Sequence, residues 1–307
     1  MSQDIVTMLV FHAKLKLGAR KTNARMLKTT ITEILDNIQR DIDVVVLPPY
    51  PFTGPVIGYY PDSRVKSIIS GSAEILSQKN TIRGHGAAEF LRRLAIDLGV
   101  DIISGPMIER AGPRLYITVT LVDRMGNIVS KYRKIGVTRA EASNGIHPGK
   151  EVTVFRLQRG GASIGVFVDE DLVYPEVFRA IQASGANIIV GFMLPYLSDH
   201  LKLIADDSNM LTMDLDTVES FLSVRSRETG LPMILVGGMV ESNNKPHIVH
   251  MPTIPVEPDV GVVKNKIRGS EALWSYLTIE VDVGNSRPAP LNRTALGLCK
   301  KIYSLYR

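Results

Sequence analysis

The chain contains a single cysteine in 307 residues, Cys299, close to its C-terminal end. A lone thiol excludes an internal disulfide framework and a zinc–thiolate cluster, and it points to an intracellular, cytoplasmic protein. No apolar run approaches the roughly 20 residues that a bilayer-spanning helix needs, so no membrane segment is expected. Met1 to Lys14 lacks the basic, apolar, small-residue order of a secretory leader and reads as mature protein entering a first strand. Long runs of one charge are missing too. The net charge is +5, but the basic residues are dispersed, the pattern of solubility charge and not of a nucleic-acid track. Low-complexity tracts and short-period repeats are also absent.

What the chain has is 45% hydrophobic residues, enough for one large α/β core. Asp43 to Leu47, Asp101 to Ser104, Ile164 to Val168, Asn187 to Val190 and Met233 to Val236 are nearly continuous β-branched runs, which suits strands covered on both faces. Leu115 to Val122 and Tyr276 to Val283 alternate, which suits strands with one less buried face. Helices fall between them. Ile31, Ile34, Leu35 and Ile38 share one helical face, as do Phe90, Leu91, Leu94 and Leu98 before Gly99. Pro175 opens a third helix ending near Gly185, and a fourth runs from about Asp216 to Thr229 before Gly230. Pro55 to Arg83 and Asp199 to Asp216 read as polar inserts. Alternating strands and helices predict a layered α/β fold.

Few isolated residues suggest chemistry. His12, His85, His147, His200, His247 and His250 are scattered and read as surface or loop histidines; no metal site is expected. Arg83-Gly84-His85-Gly86 lacks the Lys-Ser/Thr ending of a phosphate loop. Asp169-Glu170-Asp171 has the look of a metal triplet, but side chains at a strand end alternate in direction, so the three are not expected to converge.

Three separated segments together carry more. Val44-Val45-Val46-Leu47-Pro48-Pro49-Tyr50 is an apolar strand running into a Pro-rich turn. Gly126 to Lys134 is a turn, a strand and then Tyr132-Arg133-Lys134. Ile164-Gly165-Val166-Phe167-Val168-Asp169-Glu170-Asp171 leads into Pro175-Glu176. With Gly185-Ala186 and Arg225-Ser226-Arg227-Glu228-Thr229-Gly230, these resemble the nitrilase superfamily, the carbon–nitrogen hydrolases, over roughly residues 4–285. That family works with a Glu-Lys-Cys set. The resemblance puts Pro49 on the glutamate position, Lys134 on the lysine, Asp169 on the cysteine, and Glu141 near a second glutamate.

The resemblance implies a four-layer α-β-β-α sandwich over residues 1–285, with residues 286–307 as a tail in contact between subunits of a homodimer or larger homo-oligomer. Proline has no proton-accepting side chain, and a carboxylate attacking an amide would yield a high-energy mixed anhydride. The leading expectation is therefore a catalytically degenerate homologue that binds a small molecule, regulates or assembles, needing no cofactor. Asp169 would serve as countercharge to Lys134. The alternatives are an amidase with a rewired site using Asp169 as base, Lys134 as electrostatic stabiliser and Glu141 as orienter, and a weak nucleic-acid-binding scaffold suggested by charge alone.

Overall fold

The computed structural model describes residues 5–76, 86–194, 201–204, 210–213, 215–241, 248–263, 267, 274–284 and 288–291. Cys299, His85, His200, His247 and the basic–aromatic tail Lys300 to Arg307 lie outside the described residues, as do 199–200, 205–209 and 214 of the 199–216 insert, whose described part includes the antiparallel strands Leu201–Ile204 and Met210–Met213.

Two sheets face each other. The first is built around the long strand Ile5–Lys16. Along it, Trp274–Asp282 pairs antiparallel with Ile5 to Ala13, and Gly238–Glu241 pairs parallel with Lys14 to Lys16. Val44–Val46, Asp101–Ile103, Arg114–Val122 and Met107–Ala111 extend the sheet, with Ile128–Arg133 also on Arg114–Val122. The second sheet has a parallel centre, Ser163–Val168, Ile188–Phe192 and Met233–Val236. Its flanks are antiparallel. Continuous apolar runs are what such central strands require, since both faces are covered.

Three hydrophobic clusters separate four layers. Val10, Val46, Val119, Tyr132, Val166 and Val190 belong to the cluster between the sheets. A second cluster packs the helices Arg20–Asn37 and Ala87–Leu98 on the first sheet through Leu27, Ile31, Leu91 and Leu94. A third packs Pro175–Ala183 and Leu215–Thr229 on the second sheet through Phe178, Ile181, Val218 and Leu222. The α-β-β-α sandwich is thus the observed architecture. Gly99 ends its helix at φ 65°, its amide bonded to the Ala95 carbonyl, as an αL cap requires.

One strand differs from its pattern. Arg114–Val122 alternates apolar and polar residues, yet it is buried on both faces beyond Arg114. Its polar side is threonine with satisfied hydroxyls: Thr118 donates to Glu109 at 2.8 Å, and Thr120 bonds Ser104 at 3.0 Å. Buried hydroxyls with partners cost little, so alternation does not mean exposure here.

Candidate functional site

Lys134 follows directly after the Ile128–Arg133 strand and is fully buried. Its amide bonds the Ile117 carbonyl at 2.9 Å, and its carbonyl accepts from Gly149 at 2.7 Å. A Cβ at Gly149 would lie 2.1 Å from the Arg133 carbonyl, so glycine permits this close return of the chain. The ammonium meets Glu141 Oε1 at 2.7 Å, Glu170 Oε2 in a shorter contact, and Asp169 Oδ2 at 3.6 Å.

Glu141 sits in the short helix Arg139–Ser143. Thr138 Oγ1 accepts from the Glu141 amide at 3.1 Å, and Glu141 Oε2 accepts from the Thr138 amide at 2.8 Å. This capping box orients the glutamate, whose other oxygen reaches Lys134. Thr138-Arg139-Ala140-Glu141 carries the box in plain sight, so this helix was legible in the sequence.

Asp169, Glu170 and Asp171 open a 3₁₀ turn, Asp169–Val173, at the end of the Ser163–Val168 strand. The strand's alternation stops at Val168, and Asp169 adopts φ 47°. Asp169 and Glu170 therefore both face Lys134, and oxygens of Glu141, Asp169 and Glu170 lie within 4.8 Å of one another; the three consecutive acidic residues do not all converge, as expected. Asp171 turns elsewhere. It accepts from the Gly136 amide at 2.6 Å, the Val168 amide at 3.0 Å, the Ile135 amide at 3.1 Å and the Tyr132 hydroxyl at 2.7 Å. That carboxylate ties the end of the lysine strand to the end of the aspartate strand. Arg225, from the late-helix motif, donates to the Leu172 and Val173 carbonyls at 3.2 and 2.8 Å and holds the same turn from outside.

One ammonium thus faces three buried carboxylates. Burial pushes the Asp169 carboxyl up to about 6, against the pull of Lys134 and with a further push from Glu141. Burial likewise pushes Glu170 up to about 8, again opposed by Lys134 and aided by Glu141 and Asp169. The cluster keeps a proton at neutral pH because three adjacent charges out of water cannot all ionise against one cation. The expectation that Asp169 is the countercharge of Lys134 is corrected in rank: the pair exists, but Glu141 and Glu170 stand closer.

A cavity of about 30 Å³ opens beside this cluster. Glu141, Asp169, Tyr50 and Tyr59 line it, with aliphatic side chains including Ile117 and Leu194. Pro49 is buried next to Gly105 and Gly238, and Tyr50, the following residue, reaches the cavity wall in its place. Burial and the Asp169 charge hold the Tyr50 hydroxyl well above its ordinary value. Tyr50 and Asp169, at φ 50° and 47°, are the non-glycine residues with positive φ among the described residues, and both line this one cavity. Left-handed backbone at such side chains costs energy and persists where surrounding structure enforces it, a mark of functional sites.

A family model for carbon-nitrogen hydrolases matches residues 13–251, spanning the lysine strand, the aspartate turn and the late helix. The chain belongs to the carbon–nitrogen hydrolase family. It is 28% identical over 155 residues to a deaminated glutathione amidase of Yersinia enterocolitica, covering 42% of this chain and 54% of that protein. It is also 28% identical over 123 residues to a 2-oxoglutaramate amidase of Bacillus subtilis (strain 168), covering 39% and 46%. The chain spans about half the length of the curated relatives it matches. Among solved structures, Saccharomyces cerevisiae Nit3, a member of branch 10 of the nitrilase superfamily, superposes with TM-score 0.69 at 16% identity, covering 91% of this chain and 92% of that one. A Nesterenkonia sp. AN1 amidase, solved with the acetamide moiety of fluoroacetamide added covalently at its active site cysteine, superposes with TM-score 0.64 at 15% identity over 95% of each chain. At such identities the structures establish the shared fold.

In this member of the carbon–nitrogen hydrolase family the sequence frame located Lys134, Glu141 and Asp169 together, and the structure brings all three to one place. The frame gave no role to Glu170, whose signal was the acidic triplet set aside on strand geometry, or to Tyr50, which carries no local signal. The histidines need two corrections: His12 and His250 both lie in strands with buried ring nitrogens, and are not surface or loop residues. His12 is fully buried in the first strand, Nδ1 2.9 Å from Thr253 Oγ1, with its ring 5.5 Å from that of His250. Burial, reinforced by His250, lowers His12 to about 4. His147 is exposed, as expected.

No helix among the described residues is long and apolar enough to cross a membrane.

Proposed function

We propose that this carbon–nitrogen hydrolase family member has given up the family's thiol chemistry and keeps its pocket to bind a small ligand, in a regulatory or assembly role. The observation that carries this reading is Asp169. It stands at the strand end that the family frame gives to cysteine, and its carboxylate lines the cavity beside Lys134. The Nesterenkonia amidase takes its adduct on a cysteine. Here the one cysteine, Cys299, is 130 positions further along the chain than residue 169. A carboxylate nucleophile would form a mixed anhydride from an unactivated amide, and Pro49 supplies no base for a nucleophile.

The test is ammonia release from a panel of short amides and nitriles. The parent chain and Asp169→Cys are expected to be silent, because Pro49 leaves an introduced thiol without its base. Pro49→Glu combined with Asp169→Cys is the variant in which turnover is expected, if in any. Turnover by the parent chain would overturn the proposal.

A second reading has one observation in its favour. Asp169 is held in a left-handed conformation with its carboxyl at about 6, suited to a base that activates water. Lys134 would then stabilise the developing charge and Glu141 would orient it. This reading predicts amide turnover by the parent chain that is lost in Asp169→Asn.

A further inference from the structure

The charge count at the pocket decides what it will accept. Among the ion pairs of the described residues, Lys134 is the cation that meets Glu141, Asp169 and Glu170. Three carboxylates crowd around this one ammonium, and burial pushes Asp169 and Glu170 toward holding protons without supplying a second cation from the described residues. Two of the three carboxylates are committed. Glu141 divides its oxygens between Lys134 and the Thr138 amide, and Glu170 makes the closest contact to the ammonium. Asp169 is different. Its Oδ2 stands 3.6 Å from Lys134, and its Oδ1 takes only a 3.3 Å bond from the Leu194 amide. An acceptor with four lone-pair sites is left largely unfilled at a cavity wall.

The rest of the wall fits that surplus. Tyr50 lines the same cavity with its ring and hydroxyl. Tyr59 adds a second ring, and the remaining lining is aliphatic. A buried carboxylate beside aromatic rings attracts ammonium groups through charge-assisted hydrogen bonds and the ring quadrupole. A carboxylate ligand would meet like charge. A neutral amide would gain only ordinary hydrogen bonds at this wall, where an ammonium gains charge-assisted ones.

We infer that the pocket binds a small organic cation, a primary ammonium whose head rests against Asp169 beside the Tyr50 and Tyr59 rings. This names the ligand class for the proposed function and rests on that reading, since a working amidase would take a neutral amide. The cavity, about 30 Å³, is small, little more than the roughly 10–15 Å³ of such space that one water needs. The enclosed part of the ligand is therefore a single head group, and methylammonium is the suitable probe.

The experiment is calorimetric titration of the full chain with methylammonium chloride, acetamide and sodium acetate at equal ionic strength and neutral pH. The acetamide samples are also assayed for released ammonia. Methylammonium is expected to bind saturably and at least about tenfold more tightly than either other probe. Asp169→Asn is expected to lose about tenfold of that affinity, while Glu257→Gln, outside the cavity wall, leaves it unchanged. Tyr50→Leu is the second variant, expected to weaken methylammonium binding if Asp169→Asn fails to fold. Absence of saturable methylammonium binding, equal binding of acetamide or acetate, or full affinity in the folded Asp169→Asn variant would each overturn the inference. Ammonia released from acetamide would instead overturn the binding-only function, whatever the ranking of the probes.

Discussion

Two buried charge clusters grow from one strand, and they have inverse composition. On one face of Ile128–Arg133, Lys131 and Arg133 reach a single carboxylate, Glu109, at 2.7 and 2.8 Å, and Thr118 adds a hydroxyl at 2.8 Å. One residue past the strand, Lys134 turns between the sheets and meets three carboxylates. The carboxylates of both clusters are buried. In the first, burial raises the Glu109 carboxyl, but the bonds from Arg133, Lys131 and Thr118 outweigh it, and the group ends below its ordinary value. In the second, burial wins over the single cation and both Asp169 and Glu170 rise. The ratio of partners, not the residue type, sets the sign. The Glu109 cluster is complete within the chain and behaves as a fastening. The Lys134 cluster keeps surplus negative charge at a cavity, which is what a binding site requires.

The largest effect expected from breaking this contrast is at Lys134. Lys134→Met strands its carboxylates without a cation, and unfolding in urea should show a loss of about 3–5 kcal/mol. A loss below about 1 kcal/mol would mean the carboxylates protonate without penalty and the cluster does not resist burial. Glu109→Gln should cost less, about 1–2 kcal/mol by the same measurement, because Lys131 and Arg133 are 24% and 32% exposed and water screens the repulsion left behind.

The two clusters should also respond to pH with opposite sign. Asp169 and Glu170 bind protons more tightly in the folded chain than in the unfolded one. Their contribution is therefore greatest at low pH and declines as pH rises through the window from 4.5 to about 8 set by Glu170. Glu109 is depressed, so its contribution is present above the ordinary carboxylate range and is lost as pH falls through its folded value. Stability should fall less steeply as pH rises from 4.5 to about 8 in Glu170→Gln, and less steeply as pH falls below the ordinary carboxylate range in Glu109→Gln. An unaltered slope between 4.5 and about 8 in Glu170→Gln would remove the raised carboxyl from the account. The smallest effect is expected for Asp169→Asn, within about 1 kcal/mol of the parent at neutral pH, because Lys134 keeps its two nearer partners. A larger loss would restore Asp169 as the main countercharge and weaken its assignment as the ligand-facing group.

Much of this was legible in the chain itself. The runs at Val44, Ile164, Ile188 and Met233 are strands because β-branched residues without polar interruption suit the doubly covered centre of a sheet. Helix ends at Gly99, Gly185 and Gly230 follow from residues that accept positive φ. The Arg114–Val122 strand was misjudged as half exposed because threonine reads as polar, while a threonine with a buried partner is not a surface residue. His12 was misjudged for the same reason: its ring is polar in sequence, but Thr253 supplies a partner that lies 241 positions away.

The sequence by itself determined the ordered frame of motifs, the lysine at 134, the carboxylate at 169 and the distance of the only cysteine from that frame, because these are matters of residue identity and spacing. It also determined the capping box that orients Glu141, since that contact spans three residues. Tertiary structure decided which carboxylates share Lys134. The strand breaks into a 3₁₀ turn after Val168, Asp169 is forced to a left-handed backbone, and Glu170 swings inward with it. It also put Tyr50, and not Pro49, at the cavity. Such convergence depends on how chain segments 36 residues apart are held, here by Asp171 against the Ile135 and Gly136 amides and by Arg225 against the turn. Periodicity and spacing carry no record of contacts at that range, because they are fixed only when the two sheets close on each other.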